Sequence, residues 1–150
     1  MVDSCNEFDS PWKEAIEEYF EDYMVFFFPF IPPDIDWTRG YDFLDKELQQ
    51  VVRDAVVGKR WADKLVKVWR QDGQETWVLI HIEIQSQEEA DFAQRMYTYN
   101  YRLRDRYGLP IISLAVLGDE RHTWRPDRFR TSVWQCTVDF QFPIVKLLDY

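Results

Sequence analysis

Residues 62–85 read ADKLVKVWRQDGQETWVLIHIEIQ, and the fold turns on how this stretch pairs with itself. Ala62–Arg70 and Thr76–Gln85 alternate between apolar and polar residues and are rich in β-branched side chains, which is the pattern of strands. Gln71-Asp72-Gly73-Gln74 between them has tight-turn chemistry, so an antiparallel hairpin is expected. Val66 and Val68 in the first run, and Val78, Ile80, Ile82 and Ile84 in the second, are all even-numbered. A register centred on Gly73 sets Val66 against Ile80 and Val68 against Val78, gathering these residues on one apolar face.

The same register sets Asp63 directly against Glu83 on the other face, with Gln85 two residues further on. Two carboxylates whose Cβ atoms lie about 5 Å apart repel unless a proton or a cation lies between them. A hard divalent ion such as Mg²⁺ suits the pair, with the backbone carbonyl of Ile84 as a further oxygen ligand and the other positions left to water and phosphate. An ion held there polarises a phosphodiester and lowers the pKa of a bound water. Lys67 on the acidic face and Lys64 on the opposite one are the neighbouring cations suited to phosphate. Spacing alone does not separate this site from two solvated acids on the open face of a hairpin, which is the commoner arrangement.

Outward from the hairpin, Gln87–Tyr107 has apolar residues at helical spacing (Phe92, Met96, Tyr99 or Tyr97, and Leu103), and Gly108 is placed to end the helix. Leu109–Leu117 is nearly continuously apolar, as a buried strand is. Strand, helix and buried strand make a βαβ unit. Asp119–Arg130 reads as a polar loop in which Trp124, Arg125, Arg128, Phe129 and Arg130 interleave cations with aromatics. Ser132–Val145 reads as one last strand ending near Pro143. Toward the N-terminus, Asp9-Ser10-Pro11 is a helix-start signal, Ile16, Phe20 (or Tyr19), Tyr23, Met24 and Phe27 recur at helical spacing, and the helix is expected to end near Pro29. Asp36–Leu44 is expected to be extended and Leu48–Val57 helical.

The chain has 150 residues, 46% of them hydrophobic, enough for one domain with a core that needs no disulfide or structural zinc. Cys5 and Cys136 are isolated from each other, no signal peptide is visible, and the longest apolar run is far short of a membrane span, so a cytoplasmic protein with free thiols is expected. The abrupt end at Leu147-Leu148-Asp149-Tyr150 reads as a truncated C-terminus. Net charge is −9, but residues 1–50 carry 13 acids against 3 bases, whereas residues 95–150 carry 6 acids against 9 bases. The acidity is concentrated in the first third, and nucleic acid is not excluded as a partner.

The succession Asp63-Lys64-Leu65-Val66-Lys67-Val68, then Ile82-Glu83-Ile84-Gln85-Ser86, then Arg95 and Tyr99 four apart on a helix, then Leu109-Pro110-Ile111-Ile112, resembles the Rpn-type recombination-promoting nucleases and putative transposases of the PD-(D/E)XK superfamily. The resemblance covers roughly residues 60–118. It implies an α/β fold with a restriction-endonuclease-like core (αβββαβ), a mixed sheet flanked by helices. It also implies Mg²⁺-dependent (or Mn²⁺-dependent) cleavage of DNA in transposition or recombination, with Asp63 and Glu83 as metal ligands. Arg95 is then placed to touch phosphate and Tyr99 to hydrogen-bond an acidic ligand or Gln85. Asp45 and Glu47 are candidates for a third acid.

The superfamily's usual lysine is replaced by Gln85, which orients a water or phosphate by hydrogen bonds but carries no charge. Lys67 is the candidate to supply the missing cation. A different reading keeps the fold without cleavage, as a nucleic-acid-binding or protein-assembly module; Gln85, the acidic first third and the aromatic stretch Tyr23–Phe30, a candidate homodimer interface, point that way. RNA rather than DNA is the other substrate compatible with the same residues. His81 shares a face with Glu83 by parity, and a lone histidine beside carboxylates is more often a structural hydrogen-bonder than a ligand.

Overall fold

A computed structural model of the chain describes the backbone of residues 4–52, 61–83 and 91–150, and the side chains of residues 11–51, 64–82 and 91–150. Strands β2 (Trp61–Trp69) and β3 (Glu75–Glu83) form the expected antiparallel hairpin. Its register differs from the one centred on Gly73 by two residues: Val66 faces Val78, Asp63 faces His81, and Glu83 faces Trp61. The turn explains the shift. Gly73 N–H donates to the Arg70 carbonyl at 2.9 Å, Arg70 N–H donates to the Gln74 carbonyl at 2.9 Å, and Gly73 has φ +87°. The loop is therefore the three residues Gln71–Gly73, with glycine in the left-handed last position. Asp72 accepts the Gln74 N–H at 3.0 Å and closes the turn. The ladder is centred on Asp72, and because the shift is even, each residue keeps its expected face.

The main sheet has strand order β1-β2-β3-β4-β7. Strand β1 (Asp42–Phe43) is antiparallel to β2, and β4 (Ile111–Leu117) and β7 (Ile144–Lys146) run parallel to β3. The sheet is mixed, as expected, and helices cover both faces. Val66, Val68, Val78, Ile80, Ile82, Leu114 and Val116 pack against Ile16, Phe20, Tyr23 and Met24 of α1 (Ser4–Glu18) and α2 (Phe20–Phe27). On the odd-numbered face, Leu65, Trp77 and Leu79 pack against Leu48 and Val51 of α3 (Asp45–Val52) and Tyr99 and Leu103 of α4 (Phe92–Tyr107). The odd-numbered face is thus covered over Leu65, Trp77 and Leu79, and burial on both sides explains the near-continuous apolar run in β4.

Helix α4 ends as its sequence demands, with Gly108 at φ +67° donating to the Arg104 carbonyl at 2.8 Å. Other boundaries differ from expectation. α1 starts at Ser4 and passes through Pro11; proline's φ is already helical, and the main loss is one hydrogen bond to the carbonyl of residue 7. Asp36–Leu44 is only partly extended, since Trp37–Arg39 forms a 3₁₀ turn whose Thr38 N–H is capped by Asp36 at 3.1 Å. The run Ser132–Val145 is not one strand. β5 (Arg128–Val133) turns at Trp134-Gln135 into β6 (Cys136–Gln141), and β7 follows Pro143. Alternation continues across a two-residue turn, and Trp-Gln lacks the glycine or asparagine that marks one. Residues 53–57 of the expected second helix and 87–90 of the expected long helix lie outside the described residues. Among the described residues, no helix is long and apolar enough to cross a membrane, and Cys136 is a free thiol.

Tyr23 is 8% exposed, and its hydroxyl has no hydrogen-bond partner among the described residues. Burial pushes its phenol well above the ordinary tyrosine range. A group whose folded pKa is raised contributes stability below its unfolded pKa and loses it as pH rises above that value, so this protein is expected to weaken above about pH 10. Tyr23→Phe should gain roughly 1 kcal/mol at pH 7 by removing an unsatisfied hydroxyl and should flatten the alkaline decline; urea unfolding at pH 7 and above pH 10 reads both effects.

Candidate active site

The register makes Asp63 and Glu83 diagonal neighbours on the odd-numbered face, not directly opposed residues. Diagonal positions on paired strands lie about 7–8 Å apart, against about 5 Å for direct partners. Glu83 closes β3 beside Leu117, the last residue of β4. The two acids therefore mark the edge where β2 begins and the parallel strands end, the edge at which open α/β sheets commonly bind ligands.

Helix α4 crosses this part of the face. It runs antiparallel to β3: Tyr107 meets Trp77 at a ring distance of 4.7 Å, whereas Phe92 and Tyr99 lie 5.6 and 5.9 Å from His81. His81 is fully buried and is the register partner of Asp63. Tyr99, 4% exposed, is thus brought to the neighbourhood of Asp63. Arg95 sits one turn nearer the strand ends, with its side chain 18% exposed and its Nε 4.0 Å from Asp91. His81 is a core residue packed between the Phe92 and Tyr99 rings.

The other expected participants lie elsewhere. Lys64 points to the even-numbered side, 4% exposed, where its ammonium contacts Glu17 of α1 and lies 3.1 Å from Asp45 and 4.9 Å from the Phe43 ring centroid. Its charge is committed to two carboxylates, and Asp45 is committed to it, which removes both from the expected site. Lys67 keeps the odd-numbered face, but four residues along β2 from Asp63 amounts to about 13 Å. It faces Asp42 at 3.5 Å and Glu75 at 3.9 Å near the turn, away from Asp63. Glu47 lies half-buried in the first turn of α3. Ile84 and Gln85 lie outside the described residues. Among the described residues, no group of three or more His, Cys, Asp or Glu is placed to hold a metal ion.

A second charged centre, not anticipated from sequence, lies beyond β4. Lys146 of β7 and Asp119 are both fully buried, with the ammonium 2.9 and 3.0 Å from the carboxylate oxygens and 2.6 Å from the Trp124 carbonyl. Nearby, Arg125 and Asp149 form a two-pronged pair at 2.7 and 2.8 Å. The Arg125 hydrogen bonds hold the Asp149 carboxyl below the usual range. The partners are 27 and 24 residues apart in sequence, so no local pattern announces either pair.

Comparison of the chain with protein-family models, curated proteins and solved structures gives no match.

Proposed function

We propose that the chain is a metal-dependent DNA endonuclease that hydrolyses phosphodiester bonds, in the service of transposition or recombination. The placement of Asp63 and Glu83 on adjacent strands, one face and one sheet edge carries this reading. The order of elements supports it: helices, the antiparallel strands β1, β2 and β3, helix α4, then β4 parallel to β3, as a restriction-endonuclease-like core requires. Helix α3, inserted between β1 and β2, is an addition to that core.

Mg²⁺ would be held by the Asp63 and Glu83 carboxylates and the Ile84 carbonyl, an all-oxygen donor set of the kind that this hard cation takes. A bound dication supplies Lewis-acid stabilisation of phosphate charge and a more acidic water. The chain's own residues do the rest: Arg95 draws the phosphate to the strand ends, Tyr99 steadies the acidic face, and Gln85 orients the water by hydrogen bonding.

Supercoiled plasmid with Mg²⁺ or Mn²⁺ tests the proposal. Cleavage is expected from the wild type and from neither Asp63→Ala nor Glu83→Ala. Equal cleavage by all three proteins overturns it.

The reading as a binding or assembly module is favoured by the placement of Lys64 and Lys67 away from the acids, with uncharged Gln85 at the third motif position. Phe26, Phe30 and Tyr150, 59%, 64% and 65% exposed, offer it an aromatic surface suited to a homodimer. DNA binding that weakens with salt, without cleavage at any metal concentration, would select this reading.

A further inference from the structure

The β5–β6 hairpin is anchored at its root, where Phe129 and Phe140 lie 5.1 and 5.7 Å from the Tyr97 ring of α4. Beyond the root it is a two-stranded ribbon outside the main sheet, and residues 130–137 are exposed. Such a ribbon is marginal in water by itself. Its tip is costlier still. Trp134 and Gln135 have φ +52° and +66°, a region that tryptophan and glutamine rarely enter and that Asn-Gly would fill without strain. Trp134 is 97% exposed and Val133 66% exposed. A strained turn that presents a tryptophan to water is not offset by any contact within the described residues.

The register sorts the ribbon into two faces. Phe129, Thr131, Val133, Cys136, Val138 and Phe140 form one, which turns toward α4 at the root. Arg128, Arg130 and Ser132, opposite Gln141, Asp139 and Thr137, form the other, which points outward. Asp139 is neutralised by Arg128 at 3.1 Å, so Arg130 leaves this face cationic in a chain of net charge −9. Ser132 and Thr137 hydroxyls, 2.8 Å apart, continue it toward the tip. A ribbon of this width fits the major groove of duplex DNA, and guanidinium and hydroxyl groups are the usual phosphate contacts.

We propose that the β5–β6 ribbon is a DNA-engaging arm. Its outward face lies against phosphates, and Trp134, roughly 15 Å from the root, stacks on or wedges against the bases. The inference rests on the nuclease reading, since the arm is anchored on α4, the helix packed on the odd-numbered face of the sheet.

The test uses the double variant Trp134→Asn with Gln135→Gly, which deletes the aromatic group while relaxing the turn. The melting temperature is expected to rise, and affinity for a fluorescein-labelled 20-base-pair duplex in Ca²⁺ to fall about tenfold. Trp134→Phe should retain most of the affinity. Unchanged DNA affinity and unchanged KM for plasmid cleavage in the double variant overturn the arm while leaving the nuclease standing. Wild-type protein that neither binds nor cleaves DNA overturns both. Loss in the double variant of binding to phosphatidylcholine–phosphatidylserine vesicles, or of dimerisation in sedimentation, with DNA binding unchanged, assigns the tip to lipid or to a second copy and overturns the proposal.

Discussion

Asp119→Ala is expected to lower the free energy of unfolding by about 3–5 kcal/mol. Asp119 and Lys146 are both fully buried, so removing the carboxylate strands an ammonium where water cannot reach it. The Trp124 carbonyl at 2.6 Å and the Trp124 ring at 5.6 Å remain, but neither carries a compensating charge. The damage should be local as well as large. β7 has only three residues, pairing with β4 through Ala115, Val116 and Leu117, and the ion pair ties it to the loop after β4. At this chain length the loss corresponds to a fall in melting temperature of roughly 10 °C. Asp119→Leu combined with Lys146→Met should recover most of it, because an apolar pair of similar volume avoids burying either charge. Thermal unfolding of the single and double variants measures both effects; a single variant within 1 kcal/mol of wild type by that measurement would show that the buried pair is not holding β7.

The second large effect is expected at Lys64. Neutralising both of its partners, Glu17→Gln with Asp45→Asn, should cost about 2–4 kcal/mol, less than at Asp119 because the carboxylates are half-exposed while the lysine is not. Lys64→Met should be much milder, since its stem already lies among apolar residues and the two acids it leaves behind reach water. Together these variants separate a structural cation from a phosphate-binding one. A structural Lys64 predicts a non-additive cycle in urea unfolding and, on the nuclease proposal, kcat/KM for plasmid cleavage in Lys64→Met within about twofold of wild type. A hundredfold loss of kcat/KM with unchanged stability would return Lys64 to the substrate.

The contrast between Lys64 and Glu83 shows why the candidate site was only partly legible. Alternation along a strand is local, so parity assigned Asp63, Lys67, His81 and Glu83 to one face and Lys64 to the other, and the structure agrees for Lys64, Lys67 and His81. Parity says nothing about distance along the strand or about what covers each face. Lys67 satisfied the face rule and lies about 13 Å from Asp63; Lys64 was read as a cation suited to phosphate and is enclosed by α1 and the start of α3. The acids that enclose it are 47 and 19 residues away in sequence. Asp45, a candidate third ligand by composition, was already taken by that lysine.

Residue periodicity and turn chemistry by themselves determined the β2–β3 hairpin, the buried strand β4, the helix ending at Gly108 and its inward residues Phe92, Met96 and Leu103. Each follows from interactions within a few residues, where backbone preference and side-chain spacing suffice. Tertiary structure alone decided that helices cover both faces of the sheet, that Lys146 finds Asp119, and that the final alternating run folds back at Trp134-Gln135. It also settled the two-residue register shift, through hydrogen bonds that placed glycine last in the turn. Those outcomes depend on which distant surfaces meet and which charges must leave water together, and no local pattern encodes either.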